Sequence, residues 1–528
     1  MTDGVSPLPP ISGPELFFGL IAPVGTDLNS VYEQLCAELK KVGYEPFLIR
    51  LSDLLSDLPD FQYLSIYEYE DRRIESRMDA GTQFRKGTSS GSILAQLGIM
   101  KVRDYRLNSN GKCNQALPRK AYIFHQLKHP QEVDLLREVY GRLFFVISAY
   151  SPRGVRVSNL ATRISNSYGE AVSNHRRGTA ESLVNKDEKE EGQKLGQDVT
   201  DAFPLADFFV DASHPKYSLS SIQRFVEIIF GYPFHTPNKD ELSMFYAKSV
   251  SLRSADLARQ VGASICDSDG NIISNGCNEV PKFGGGAYWP GEHDERDYIK
   301  GFDANDHHKD NIKRQLKSRG LERIKEMLRS VSSDSLTANI DEDLIVFEDF
   351  VGEFVNHMVS KSQIDDLLEF GRPVHAEMLA ITHASKLGRS THMATLYCTT
   401  FPCHMCARHI ISAGIDRVVY IEPYPKSRVE NLYGDAVAVE PQQYVPNKVN
   451  FTPFVGVSPY RFQELFSFGK KERKTNGEAV RWEAHGQEPR VKRIVSTYLN
   501  LEAEIALSFR DTLHGNGYAL DTLGVEGG

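Results

Sequence analysis

The sequence is short of three things, and each shortage removes a class of protein. It has no long apolar run: the stretch around Leu16–Val24 falls short of the roughly 20 residues that a membrane span needs. The opening MTDGVSPLPP has neither the basic nor the apolar region of a secretory leader, so a cytoplasmic chain with no membrane partner is expected. It has no basic excess, since 61 Lys and Arg stand against 70 Asp and Glu for a net charge of −9. A groove for nucleic acid or an anionic membrane would need such a field, so any anionic ligand must be met by a local pocket. It also has no disulfide framework. Seven cysteines scattered over 528 residues are an odd number, which suits free thiols or metal ligands in a reducing compartment. What is present is an average globular composition, 41% hydrophobic and 25% charged, on a chain long enough for about two to four units.

The expected fold class is α/β in two units. In the first, 14–232, ELFFGLIAPVG, TDLNSVYEQLCAELKKVG and YEPFLIRL read as strand, glycine loop, amphipathic helix and strand. KAYIFHQL, PQEVDLLREVYG and RLFFVISAY repeat that order, with Pro130 opening the helix and Gly141 closing it. A doubly wound parallel sheet follows. The charged run VNKDEKEEGQKLGQDV reads as a solvated helix or lid. After the turn-rich GYPFHTPNK, the second unit, 238–528, runs helix, hairpin at Asp269-Gly270, helix, strand, helix, strand. It carries an insertion, 282–372, and a carboxy-terminal extension.

The chemistry concentrates in that second unit. His375-Ala376-Glu377 opens one helix and Pro402-Cys403-His404-Met405-Cys406 opens the next, one strand later. Cys403 and Cys406 sit three apart in a first helical turn, so both sulfurs face one way, and the helix amino terminus favours their thiolates. With His375 they offer a zinc ion three ligands and leave the fourth tetrahedral position for a water. Glu377 shares the opening turn with His375 and reads as the catalytic proton shuttle. His-x-Glu followed by Pro-Cys-x-x-Cys is a known signature of zinc nucleobase deaminases. A structural zinc site would need a fourth protein ligand, and Cys398, in the strand, is the nearest.

At these residues, and in RSADLARQVGASICDSDGNIISNGCNEVP and Phe401-Pro402-Cys403, the chain resembles the deoxycytidylate deaminase family. The resemblance implies a cytidine-deaminase-like α/β/α zinc domain. Gly276–Pro281 matches the family's G-Y-N-G-x-P, with Cys277 for Tyr and Glu279 for the second Gly, which makes Asn278 the substrate contact. Lys426, with Arg428, is a candidate for the nucleotide phosphates. The whole layout resembles the bacterial antiphage dCTP deaminases, whose amino-terminal domain is P-loop-kinase-like. That resemblance implies deamination of dCTP and dCMP, depletion of dCTP during infection, a homo-oligomer such as a hexamer, allosteric dCTP or dTTP, and control by a small inhibitory RNA or a phage-induced signal.

In the amino-terminal unit a Walker A loop would read G-x-x-x-x-G-K-S/T. Here Gly19, Gly25 and Thr26 keep part of the pattern and offer a nucleotide site, but the lysine is missing and Asp27 stands where phosphate would lie. A regulatory or assembly role is favoured over a kinase. Two rival functions remain: deamination of tRNA or single-stranded DNA, which the net charge disfavours, and a nucleotide- or RNA-sensing scaffold with structural zinc.

Overall fold

Leu16–Ile21 (β1) is apolar apart from Gly19 and buried at every position, as in a strand covered on both faces. In the computed structural model, which describes residues 13–65, 69–189, 195–291, 293–331, 340–359, 362, 369–424, 427–469, 473–490 and 497–518, β1 is the centre of a parallel sheet. Lys120–Leu127 (β3) and Phe144–Tyr150 (β4) flank it, with Phe18 opposite both Ile123 and Phe145. Glu45–Arg50 (β2) pairs outside β3 and Phe208–Asp211 (β5) outside β4, giving the order β5-β4-β1-β3-β2. Helices Leu28–Lys41 and Pro215–Ile229 pack on each other, as do Ile93–Asn110 and Pro130–Tyr140.

The second sheet is mixed. Gly262–Cys266 (β6) and Ile272–Cys277 (β7) form an antiparallel hairpin, turned at Gly270 with φ +87°. Thr395–Thr400 (β8) pairs antiparallel with β6, and Arg417–Glu422 (β9), Val437–Val439 (β10) and Val449–Pro453 (β11) continue in parallel pairs, in the order β10-β11-β9-β8-β6-β7. Helix Lys239–Ser251 packs on β6 and β8, and helix Ala376–Lys386 on β7 and β6.

The tail folds against the first unit. Only Phe454 and Val455 separate β11 from Gly456–Val457 (β12), which pairs antiparallel with β5 and completes the first sheet. An unpaired strand edge is thereby covered. Gly456 makes the crossing at φ +126°, and a Cβ there would meet Glu241 Oε1 at 2.7 Å, so glycine is required. Glu241 also accepts from Val457 N at 2.8 Å and pairs with Arg224 Nη1 at 2.7 Å. One carboxylate thus joins first unit, second unit and tail. A single buried cluster accordingly runs from Phe17 and Phe145 through Met244, Tyr397 and Val419 to Phe454 and Phe509.

The charged run departs from the solvated reading. It ends helix Asn174–Lys189, where Asp187 is buried, accepting from Val24 N at 2.8 Å and Lys128 Nζ at 3.0 Å. Arg177 and Glu181 of this helix are exposed, and residues 190–194 lie outside the described residues.

Helix Tyr498–Gly515 lies on helix Ile93–Asn110 over a buried ion cluster. Arg106 is fully buried between Glu15, at 2.7 and 2.9 Å, and Glu502, while Tyr498 and Tyr122 donate to Glu15 at 2.8 and 3.1 Å. Burial pushes the Glu502 carboxyl up, which suits two carboxyls sharing one cation. Arg106→Leu strands both acids in the core and is expected to cost about 3–5 kcal/mol. Chemical denaturation checks this, and an unchanged midpoint would show the cluster to be dispensable.

Candidate metal centre

Two helix starts define the site. His375 is the N-cap of helix Ala376–Lys386 and Cys403 the N-cap of helix His404–Ser412, both with extended backbone and neither making a side-chain capping bond. An N-cap side chain normally folds back on its own helix; these two turn to each other. The helices can converge because Gly276 lets β7 lie against one of them: a Cβ there would meet Ala376 O at 2.3 Å and Ala380 N at 2.4 Å. Phe401 N donates to Glu422 O at 2.7 Å, fixing the second helix start to the end of β9.

Cys403 Sγ and Cys406 Sγ lie 3.4 and 3.3 Å from His375 Nδ1, and the three ligand atoms fall within 4.8 Å of one another. With bonds of about 2.3 Å to sulfur and 2.0 Å to nitrogen, ligands on tetrahedral corners stand roughly 3.6 Å apart. The spacing and the donor set therefore fit zinc. Among the described residues no other cluster of three such groups occurs.

The electrostatics agree with a cation site. The hydrogen bond from Cys406, with His375 beside it, holds the Cys403 thiol down to about 4, while Cys406 is pushed up by sharing Cys403's charge and by burial. His375 is raised to about 9, first by its bond to Cys403. Left to themselves, Cys403 and His375 thus form a thiolate–imidazolium pair, with Cys406 donating to the thiolate. A divalent cation would take over that role, with both sulfurs as thiolates and the imidazole neutral.

Glu377 is 4% exposed in the same helical turn as His375 and stands outside the trio. Burial pushes its carboxyl up. Cys398 is fully buried in β8, outside the trio, and burial keeps it a thiol. His383 Nδ1 bonds Asn275 O at 2.8 Å and takes no part.

The other residues singled out in the sequence stand outside the trio. The Asn278 amide accepts from Val261 N and donates to Arg259 O, both at 2.7 Å, which leaves it a second N–H and a second lone pair. It acts as a strut for the 254–261 loop. Glu279 does the same, accepting from Ala255 N at 2.9 Å and pairing with Arg296 at 3.4 Å. Lys426 lies outside the described residues. Gly19 is inside β1, where a Cβ would strike Leu127 and Phe144, whereas Gly25 and Thr26 line a cavity.

Two residues near the metal centre escaped the sequence reading. Asp256 acts electrostatically on His375, and its carboxyl, raised chiefly by burial, accepts from Ala258 N at 2.9 Å. Arg259 lies over the Tyr424 ring, 5.4 Å from its centroid. The polar run Ser254-Ala255-Asp256 before a strand was their faint signal. The first unit also comes close, since Asp201 is raised by burial, by Asp198 and by Glu422 at the end of β9.

Residues 237–422 match the family described as the cytidine and deoxycytidylate deaminase zinc-binding region. This segment is a deoxycytidylate deaminase-family domain. ComE operon protein 2 of Bacillus subtilis is 48% identical over 61 residues, 12% of this chain and 31% of that protein. A probable deoxycytidylate deaminase of Drosophila melanogaster is 40% identical over 83 residues, 15% of this chain and 40% of the relative. The deoxycytidylate deaminase of enterobacteria phage T4 is 44% identical over 55 residues, 10% and 28% of the two chains. The chain thus spans well under half the length of the curated relatives it matches. The dCMP deaminase of cyanophage S-TIM5, solved in apo form, is 17% identical and aligns over 41% of this chain and all of its own, at a TM-score of 0.20. At that score the superposition adds nothing to the description of the deaminase domain.

Metal analysis checks the ligand set of this deaminase domain. Cys403→Ala is expected to lose bound zinc, with affinity falling by about 10-fold or more, while Cys398→Ala keeps a full equivalent. Loss of zinc from Cys398→Ala would make that residue a ligand.

Proposed function

We propose that the chain is a zinc-dependent hydrolytic deaminase of free deoxycytidine nucleotides, dCTP and dCMP, and that it serves antiphage defence by draining dCTP. The carrying observation is the trio His375, Cys403 and Cys406 at two converging helix starts, with Glu377 buried on the same turn as His375 yet not among the ligands. Three protein ligands leave room for a reacting water, which a closed structural site does not.

His375, Cys403 and Cys406 would hold the ion, which when bound supplies the acidity that turns water into a nucleophile at neutral pH. Glu377 carries the protons. Its carboxyl takes the proton that water gives up and delivers it to ring N3 as C4 becomes tetrahedral; it then takes the proton of the new C4 hydroxyl and hands it to the amine as the C4–N bond breaks, leaving the C4 carbonyl. Cytosine and water become uracil and ammonia, with no other reactant. Burial keeps the carboxyl free of competing solvent. The net charge of −9 supports free nucleotides over a polymer, whose backbone needs a basic track. The deoxycytidine nucleotide pocket and the homo-oligomeric state belong to this proposal as implied by the resemblance.

Glu377→Gln preserves shape and removes the proton carrier, so zinc content should stay and turnover should fall by about 10²–10⁴-fold. The assay is ammonia release from dCTP, dCMP, deoxycytidine, CTP and single-stranded DNA. Turnover of single-stranded DNA alone, or equal rates in wild type and Glu377→Gln, would contradict the proposal.

A further inference from the structure

The helix that carries His375 and Glu377 is held at its amino end from outside. His375 is its N-cap but makes no capping bond, so the extended residues before it need other partners. Val374 finds one in Glu279: the backbone N of each donates to the carbonyl of the other, at 3.0 and 3.2 Å. This is an isolated bridge, not a sheet ladder. Two backbone bonds are a slight hold for a segment that must present a metal ligand.

The insertion 282–372 supplies the rest. Arg296 is 5% exposed and Glu279 1%. Arg296 Nη1 donates to Glu279 Oε2 at 3.4 Å, while its Nε and Nη2 grip the Asp294 carboxylate at 2.6 to 3.0 Å. Glu279 Oε2 also accepts from Ala255 N at 2.9 Å. One buried carboxylate thus ties the insertion to the 254–261 loop and, through its own backbone, to Val374.

The next residue makes a second arm. Buried Asp297 accepts from Arg372 Nη1 at 2.5 Å, and Arg372 Nη2 donates to Glu295 O at 3.0 Å. Arg372 is the last residue of the insertion and stands in the segment that leads into His375. The two ends of the insertion are therefore fastened to each other. Phe370 continues the closure outward, its N donating to Asn305 Oδ1 at 3.4 Å and its ring stacked on His308 at 5.1 Å.

Adjacent Arg296 and Asp297 thus grip both partners of the bridge that sets His375 in place. A buried ion pair adds little net stability, because desolvation offsets its attraction, yet breaking it strands a charge, so it fixes geometry more than it adds strength. The planar fork of arginine fixes direction as well as distance. Geometry is what a metal ligand requires, since groups behind the ligands orient them and set the affinity for the ion. Glu279 stands where the G-Y-N-G-x-P motif has its second Gly, and a glycine there could accept from neither Ala255 nor Arg296.

We propose that the insertion is a working part of the metal centre, with Arg296, acting through Glu279, and Arg372, acting through Asp297, as positioning residues that hold Val374 and so aim His375 at Cys403 and Cys406. The proposal rests on the zinc reading of the trio and is independent of which nucleotide the domain takes.

Zinc affinity of the full chain, measured by competition with a chelator, tests it, with the visible spectrum of the cobalt-loaded chain as the report of coordination geometry. Arg296→Met and Arg372→Met are compared with Arg323→Ala, which breaks an exposed ion pair of the same insertion, Arg323 with Glu326 at 2.9 Å. Melting curves verify folding, and the more exposed Arg372 keeps the test decisive if Arg296→Met does not fold. Each folded Met variant is expected to lose about 10-fold or more in zinc affinity and to show a changed cobalt spectrum, while Arg323→Ala keeps both. A merely structural role would lower the melting temperature and leave the affinity and the cobalt spectrum of the folded variants unchanged, which would overturn the proposal. An equal loss in Arg323→Ala would overturn it too. A parent chain that takes up no zinc would remove the zinc reading along with it, whereas a zinc-binding parent with unaffected variants removes the positioning role alone.

Discussion

The arrangement of the second unit rests on bringing two helix amino termini to one point. Each terminus carries a partial positive charge and unpaired backbone donors, so two of them repel unless something negative lies between. Here that role falls to the Cys403 and Cys406 sulfurs, with the His375 imidazole completing the set. The rest follows from this demand: β7 must present Gly276 so that helix Ala376–Lys386 can lie close, β8 and β9 must end together so that Phe401 can bond Glu422, and Glu377 comes into place because it follows His375 on the same turn.

The two units form one packed body. The chain's tail leaves the second sheet at Pro453 and enters the first at Gly456, and its last described helix closes over Arg106. A shared core that includes Tyr397 and Val419 beside Phe17 and Phe145 means that the sheet carrying the metal centre and the first sheet stand on a common foundation.

Local patterns were legible in the sequence and distant convergences were not. The metal centre could be read because its residues follow a fixed spacing at two helix starts, and the alternating strands and the Asp269-Gly270 turn because their signals are local. The return of the tail escaped notice since Gly456 and Val457 make too short a strand to show a period. Asp187 looked solvated in its charged run because its partners, Val24 and Lys128, lie far away in the chain. Asn278 matched a motif position, and only coordinates reveal that it also ties Val261 to Arg259.

The central claim is that the metal centre has three protein ligands and an open fourth position. X-ray absorption at the zinc edge on the purified protein measures this directly. The account predicts two sulfur scatterers at about 2.3 Å and two lighter nitrogen or oxygen scatterers at about 2.0–2.1 Å. A shell of three sulfurs, which would draw Cys398 into the site, would contradict it.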